Sequence, residues 1–138
     1  MTPEEKVIEK LRKVLLADST IIGYTKTRIY ASHISSISEP KYPAISFHLL
    51  NSVEDISIKD YVSMSIQIDC WFQDSQYNMT DILTVHRRLR ALLHRQNLTD
   101  TTISVKVASI SEISAGPLMH EEENNLLHYP VRYGIIAS

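Results

Sequence analysis

This chain predicts a single α+β domain, a mostly antiparallel sheet with two main helices packed on one face. Three observations carry that expectation. Over residues 61–73, Val62, Met64, Ile66, Ile68, Cys70 and Phe72 alternate without a break against polar or aromatic neighbours. A period of two over that length is one long strand with an apolar and a polar face. Two other segments repeat at helical spacing: Val7, Ile8, Leu11, Val14 and Leu15, then Ile82, Val85, Leu89, Leu92 and Leu93. Shorter alternating stretches lie between and after them, without repeats or a linker, in the order helix, strands, helix, strands. At 138 residues the chain can bury one core unaided.

The first helix opens on a Thr-x-x-Glu capping box, Thr2 to Glu5, with Pro3 at its first position. It should stop near Asp18, because Ser19, Thr20 and Gly23 favour turns. Arg28-Ile29-Tyr30 reads as a short strand, and residues 31–42, with four serines and a proline, as a loop. Pro43 opens a second strand in which Ile45, Phe47 and Leu49 alternate with Ser46 and His48. A connection over residues 51–60 leads into the long strand, and antiparallel pairing of the two is simplest. Asp74, Ser75 or Asn78 caps the second helix, and Asn97 is a plausible stop. Ile103, Val105 and Val107 suggest a further strand. Gly116-Pro117 breaks the chain, and residues 121–125 form an acidic loop. In the last strand Leu127, Tyr129, Val131, Tyr133 and Ile135 share a face. Pro130 lacks a ladder donor, so that strand is expected at an edge or with a bulge.

Composition narrows the function. With 43% hydrophobic and 22% charged residues the chain is that of a soluble globular protein. A formal charge of −2 argues against bulk binding of nucleic acid or an anionic membrane. No apolar run approaches the ~20 residues that cross a bilayer, and the N-terminus does not read as a secretion signal. The Asn78-Met79-Thr80 and Asn97-Leu98-Thr99 sequons are then accidental. Cys70, the sole cysteine, sits on the apolar strand face and reads as an inert buried thiol in a reducing cytoplasm.

Catalytic or cofactor chemistry is not signalled. Three separated glycines make no phosphate loop. His33, His48, His86, His94, His120 and His128 show no metal-ligand spacing. No metal, cofactor or catalytic residue is therefore expected, and the chain is not read as an enzyme. Asp69 is the best-placed carboxylate, although a general acid or base also needs a partner and a pocket; a hydrogen bond to a neighbouring strand or subunit is its simpler role. His48 and His128 would approach each other if their strands pair. Trp71 and Tyr61 stand out on a face of Ser, Gln and Asp. They either anchor a protein contact or are covered by the first helix or the 31–42 loop. Arg87, Arg90 and His94 form a ridge opposite the second helix's apolar stripe, flanked by Arg88 and Arg95. That ridge is a solvated helix back or a surface for acidic groups of another copy, with Glu121, Glu122 and Glu123 as the complementary patch. A nucleic-acid face fits less well, since no aromatics interleave with the arginines.

The chain resembles the tail terminator proteins of long-tailed bacteriophages, also called tail-completion or head-to-tail joining proteins. The resemblance rests on an ordered set: Leu15-Leu16-Ala17-Asp18, Arg28-Ile29-Tyr30, Tyr42-Pro43-Ala44-Ile45, Gln67-Ile68-Asp69-Cys70-Trp71 and the helical pattern over residues 77–93. Tyr129, Arg132 and Tyr133 match more loosely, and the loop after Tyr30 lacks the family's proline and glycine. The resemblance implies a homo-oligomeric ring, commonly a hexamer, at the head-proximal end of the tail tube in the virion neck, assembled in the host cytoplasm. Such a ring stops tube polymerisation, docks the head-completion or connector protein, and lets DNA pass without specific binding. On that reading charge and exposure select Arg87, Arg90, Glu121, Glu122, Glu123, Asp69 and Trp71 as contact residues. The alternatives are another neck component, such as a head-closure or adaptor protein, and a small ligand-binding or enzymatic domain.

Overall fold

A computed structural model describes residues 1–31 and 38–138. His33 and the middle of the 31–42 loop lie outside the described residues. Helix α1 (Pro3–Leu16) begins as its capping box dictates. The Thr2 hydroxyl accepts from the Glu5 amide at 3.2 Å, and the Thr2 amide donates to the Glu5 carboxylate at 2.7 Å. Val7, Leu11 and Leu15 are its buried stripe.

The turn expected after Asp18 is instead a second helix, α2 (Ser19–Thr25). Asp18 caps it, accepting from the Ile21 amide at 3.1 Å, and Ile21 is buried completely. A seven-residue helix has too little intrinsic stability to stand alone. Its cap and its two buried side chains, Ile21 and Thr25, supply what local propensity lacks.

Strand β1 (Ile29–Tyr30) pairs in parallel with β2 (Ala44–Glu54), which pairs antiparallel with β3 (Val62–Gln73). A bulge between Leu49 and Asn51 carries β2 further than its alternation suggests, shrinking the expected connection to residues 55–61. Helix α3 (Met79–Leu93) is capped reciprocally by Asn78 and Asp81. It ends before Asn97, because His94 turns extended and Arg95 is left-handed, at φ 56°. Strands β4 (Val107–Ala115), β5 (Met119–Glu121) and β6 (Leu126–Ala137) complete the chain.

The strand expected at residues 103–108 begins only at Val107, and residues 103 and 104 lie in a turn. Val105 makes only an isolated bridge to Asp100, and Ser104 is left-handed at φ 56°. Ile103 and Val105 alternate because both pack on the core, not because they are paired. Asp100 holds this turn, bonded to Thr102 and to the ammonium groups of Lys10 and Lys13 at 3.0 and 2.8 Å.

Among the described residues the sheet has six strands in the order β1-β2-β3-β6-β4, with β5 beside β6. The last strand is therefore interior, not an edge. Pro130 is accommodated where the outer neighbour changes, after Ala115 pairs Val131 and before Met119 pairs His128. Its carbonyl accepts from the Gly116 amide at 2.7 Å, so its missing donor faces the same gap, and the ladder to β3 is untouched. The bulges fall on β4 instead, near Ala108 and Ile113. All three helices cover one sheet face, where Phe47, Ile66, Ile68, Phe72, Val131 and Tyr133 meet Leu11, Ile21, Val85 and Leu89.

Candidate functional site

The sheet face opposite the helices carries a continuous polar network at its β2–β3–β6 centre. Cross-strand register sets Ser46 opposite Asp69, His48 opposite Gln67, and Trp71 opposite His128. Asp69 Oδ1 accepts from Gln67 Nε2 at 2.7 Å and lies 2.6 Å from His128 Nε2. Its Oδ2 is 4.0 Å from His48 Nδ1. The Trp71 indole stacks on the His128 ring at 4.0 Å and donates from Nε1 to Ser46 Oγ at 3.1 Å. Arg132 Nε donates to Gln67 Oε1 at 3.2 Å.

Asp69 and Trp71 keep only 4% and 8% of their surface. The exposure expected of both is thus corrected: their polar and aromatic atoms are spent on their own neighbours. The two histidines do converge on Asp69. In this arrangement the carboxylate joins three strands and fixes their register. Among the described residues no three His, Cys, Asp or Glu side chains are grouped to hold a metal. Cys70 is buried on the helix-covered face, and burial pushes its thiol far above its ordinary range.

The basic ridge on α3 divides into three fates. Arg88 donates through Nε and Nη2 to Asp18 Oδ1, at 2.9 and 2.7 Å. Arg90 meets Glu112 Oε2 at 2.7 Å, while His86 lies 2.8 Å from Glu112 Oε1. The Tyr133 hydroxyl donates to the same carboxylate at 3.4 Å, and His94 Nδ1 accepts from the Glu112 amide at 2.9 Å. Arg90 therefore already has an acidic partner in its own chain. Arg87 is exposed and makes no hydrogen bond or ion pair among the described residues. Glu121 is half-buried at the end of β5, and Glu122 and Glu123 are exposed in the turn before β6.

Glu112 and Asp18 were not singled out as partners from sequence. The signal for Glu112 lay in its two-residue spacing from Ile110, which puts both on the helix-facing side of β4. Arg88's hydrogen bonds, with that of the Ile21 amide, hold the Asp18 carboxyl below its ordinary value against the opposing effect of burial. A lowered native pKa stabilises the fold above the unfolded value and loses that contribution as pH falls through the native one. The stability loss caused by Arg88→Ala should therefore be larger at pH 7 than at pH 3, as read from urea midpoints across that range.

No protein-family model matches the chain, and no curated protein matches it in sequence. Among solved structures, its fold is similar to a chain of the virion of a native gene transfer agent particle. The TM-score is 0.70 at 10% identity, covering 95% of this chain and 93% of that one. At that identity the likeness is one of fold, extending over nearly the whole length of both chains. None of the described helices is long and apolar enough to cross a membrane.

Proposed function

We propose that this protein is a structural component of a phage-like virion, and specifically a tail terminator. Subunits close into a ring on the head-proximal end of the tail tube, halt its growth, and present a surface to the head connector. The observation that carries this reading is the end-to-end fold correspondence with a virion chain. The ordered residue resemblance from Leu15 to Tyr133 points independently to the same class. The mechanism is steric and interfacial: a heterologous contact between copies closes on itself and leaves no free end for the tube.

The direct test adds purified protein to polymerising tail-tube protein and images the products. Capped tubes of limited length, with density at one end, support the role; unlimited growth with unlabelled ends rejects it. Within the ring, Arg87 is an exposed cation open to a neighbour, and Glu122 and Glu123 are exposed acids able to meet it. Arg87→Glu should weaken assembly seen by light scattering, and Glu122→Lys with Glu123→Lys in the same chain should partly restore it. A surface ion pair is worth only ~0–1 kcal/mol, so the effect appears through repetition around the ring. Arg90→Glu should chiefly lower subunit stability, because it breaks the Glu112 pair.

A further inference from the structure

The connection between β2 and β3 ends in a turn built to hold its shape. Asp55 Oδ2 accepts from the amides of Ser57 and Ile58 at 2.9 and 2.6 Å. The Asp55 amide donates to the Tyr61 carbonyl at 2.9 Å, and the Tyr61 amide to the Ile58 carbonyl at 3.3 Å. On this braced turn Ile56 is wholly exposed. Val53, on the strand leading to it, is 63% exposed. A braced turn holds this apolar side chain in one place, so burying it against a partner would gain hydrophobic contact without the cost of ordering the turn. In sequence it is flanked by Glu54, Asp55 and Asp60 against a single lysine, Lys59, with Asp55 engaged by the turn's own amides.

The complementary feature lies on the helix layer. A groove of about 310 Å³ between α1 and α3 is lined by Lys10, Lys13, Val14, Ala17, Asp18 and Leu92. That is the lower end of the size range for binding pockets. It is a shallow, open depression whose apolar lining is Val14, Ala17 and Leu92 and whose charged lining is Lys10, Lys13 and Asp18. Lys10 and Lys13 share the one carboxylate of Asp100, while Asp18 is engaged by Arg88. Lys13 is more than half exposed, so its ammonium, bonded to Asp100 and Thr102, still faces solvent where a second acid can approach.

We propose that Ile56 of one copy docks in the α1–α3 groove of the next copy, with the acidic turn against Lys13. An acid-flanked isoleucine meets a lysine-lined apolar groove, and both belong to the same chain at different places on its surface. Such a contact is heterologous, so it propagates from copy to copy and closes into a ring when the rotation permits. The inference deepens the ring reading and rests on it for closure only.

The experiment uses cysteine pairs, since Cys70 is buried and will not compete. Ile56→Cys and Ala17→Cys proteins, mixed and oxidised, should give a disulfide-linked dimer that neither gives alone. The double variant should give a ladder of covalent multiples. Ile56→Asp, at a site where the side chain touches solvent only, should keep its circular dichroism. It should raise the concentration needed for assembly about tenfold. Lys13→Glu should do likewise, and Asp60→Lys in the same chain should restore assembly. Light scattering of the unmodified protein, alone and with tail tubes, separates the two readings. If that protein assembles but the mixed variants do not cross-link, and Ile56→Asp assembles normally, the docking inference is overturned and the ring stands. A protein monomeric under both conditions overturns the inference and the ring together. Normal assembly of Ile56→Asp with loss of tube binding assigns the hairpin to another virion protein, which also overturns the inference.

Discussion

Replacing Phe72 with alanine is expected to lower stability by about 3–5 kcal/mol, the usual cost of emptying a buried aromatic site. Phe72 keeps 1% of its surface, on the helix-covered face of β3. Its ring meets the edge of Tyr24 on α2 at 6.2 Å and that of Tyr77, just before α3, at 5.4 Å. Three elements therefore share one side chain. The loss should exceed that from a peripheral apolar residue, because Phe72 contacts rings from two other segments at once. The Tyr24 hydroxyl, donating to Asp81 Oδ1 at 3.1 Å, would lose its platform as well. For a domain with a typical reserve of 5–15 kcal/mol this is a large fraction. Urea unfolding should show a lowered midpoint with an unchanged slope. A change below about 1 kcal/mol would mean that α2 is not seated against β3 as described.

Asp69→Ala is the second large effect, expected to cost about 1–3 kcal/mol. The substitution removes the acceptor shared by Gln67 and His128, and so frees the ring on which Trp71 stacks. Asp69→Asn keeps one acceptor oxygen and should cost less. Because Trp71 is the sole tryptophan, its near-ultraviolet dichroism reports directly on the stack. The alanine variant should lose much of that signal, and the asparagine variant should keep most of it. Assembly measured at equal fractions of folded protein distinguishes two roles. If it follows stability, Asp69 is an internal brace. If it is lost beyond what stability explains, the carboxylate also touches a neighbour.

Much of the fold was legible because its signals are periodic. The alternation over residues 61–73 located β3, and the two apolar stripes located α1, with its capping box, and α3, whose cap the sequence leaves open among Asp74, Ser75 and Asn78. What escaped depends on tertiary context. Helix α2 has no stripe of its own and is set by Asp18, whose engagement by Arg88 spans 70 positions of chain. Ile103 and Val105 mimic a strand, since packing from a turn can also alternate. Pro130 suggested an edge because a sequence cannot show that a neighbouring strand changes identity opposite one residue. His48 and His128 were expected to meet only if their strands paired; β3 lies between those strands instead, and the two rings come together through its Asp69. Burial of Trp71 could not be read, because a polar strand face is exposed or covered according to what folds across it. Arg90's internal acid was hidden for the same reason, with Glu112 lying 22 residues away on another element.

The outer margin of β4 is closed by the chain itself. The Ile110 carbonyl takes the Arg95 amide at 2.8 Å, the Glu112 amide donates to His94, and Val107 exchanges hydrogen bonds with Thr99. Those groups are then unavailable as a template for a strand from a foreign molecule. At this edge, copies crowded at high local concentration are thereby kept from extending the sheet strand by strand. Along this margin, contacts between copies are left to side chains and turns, which have a definite geometry and a definite end.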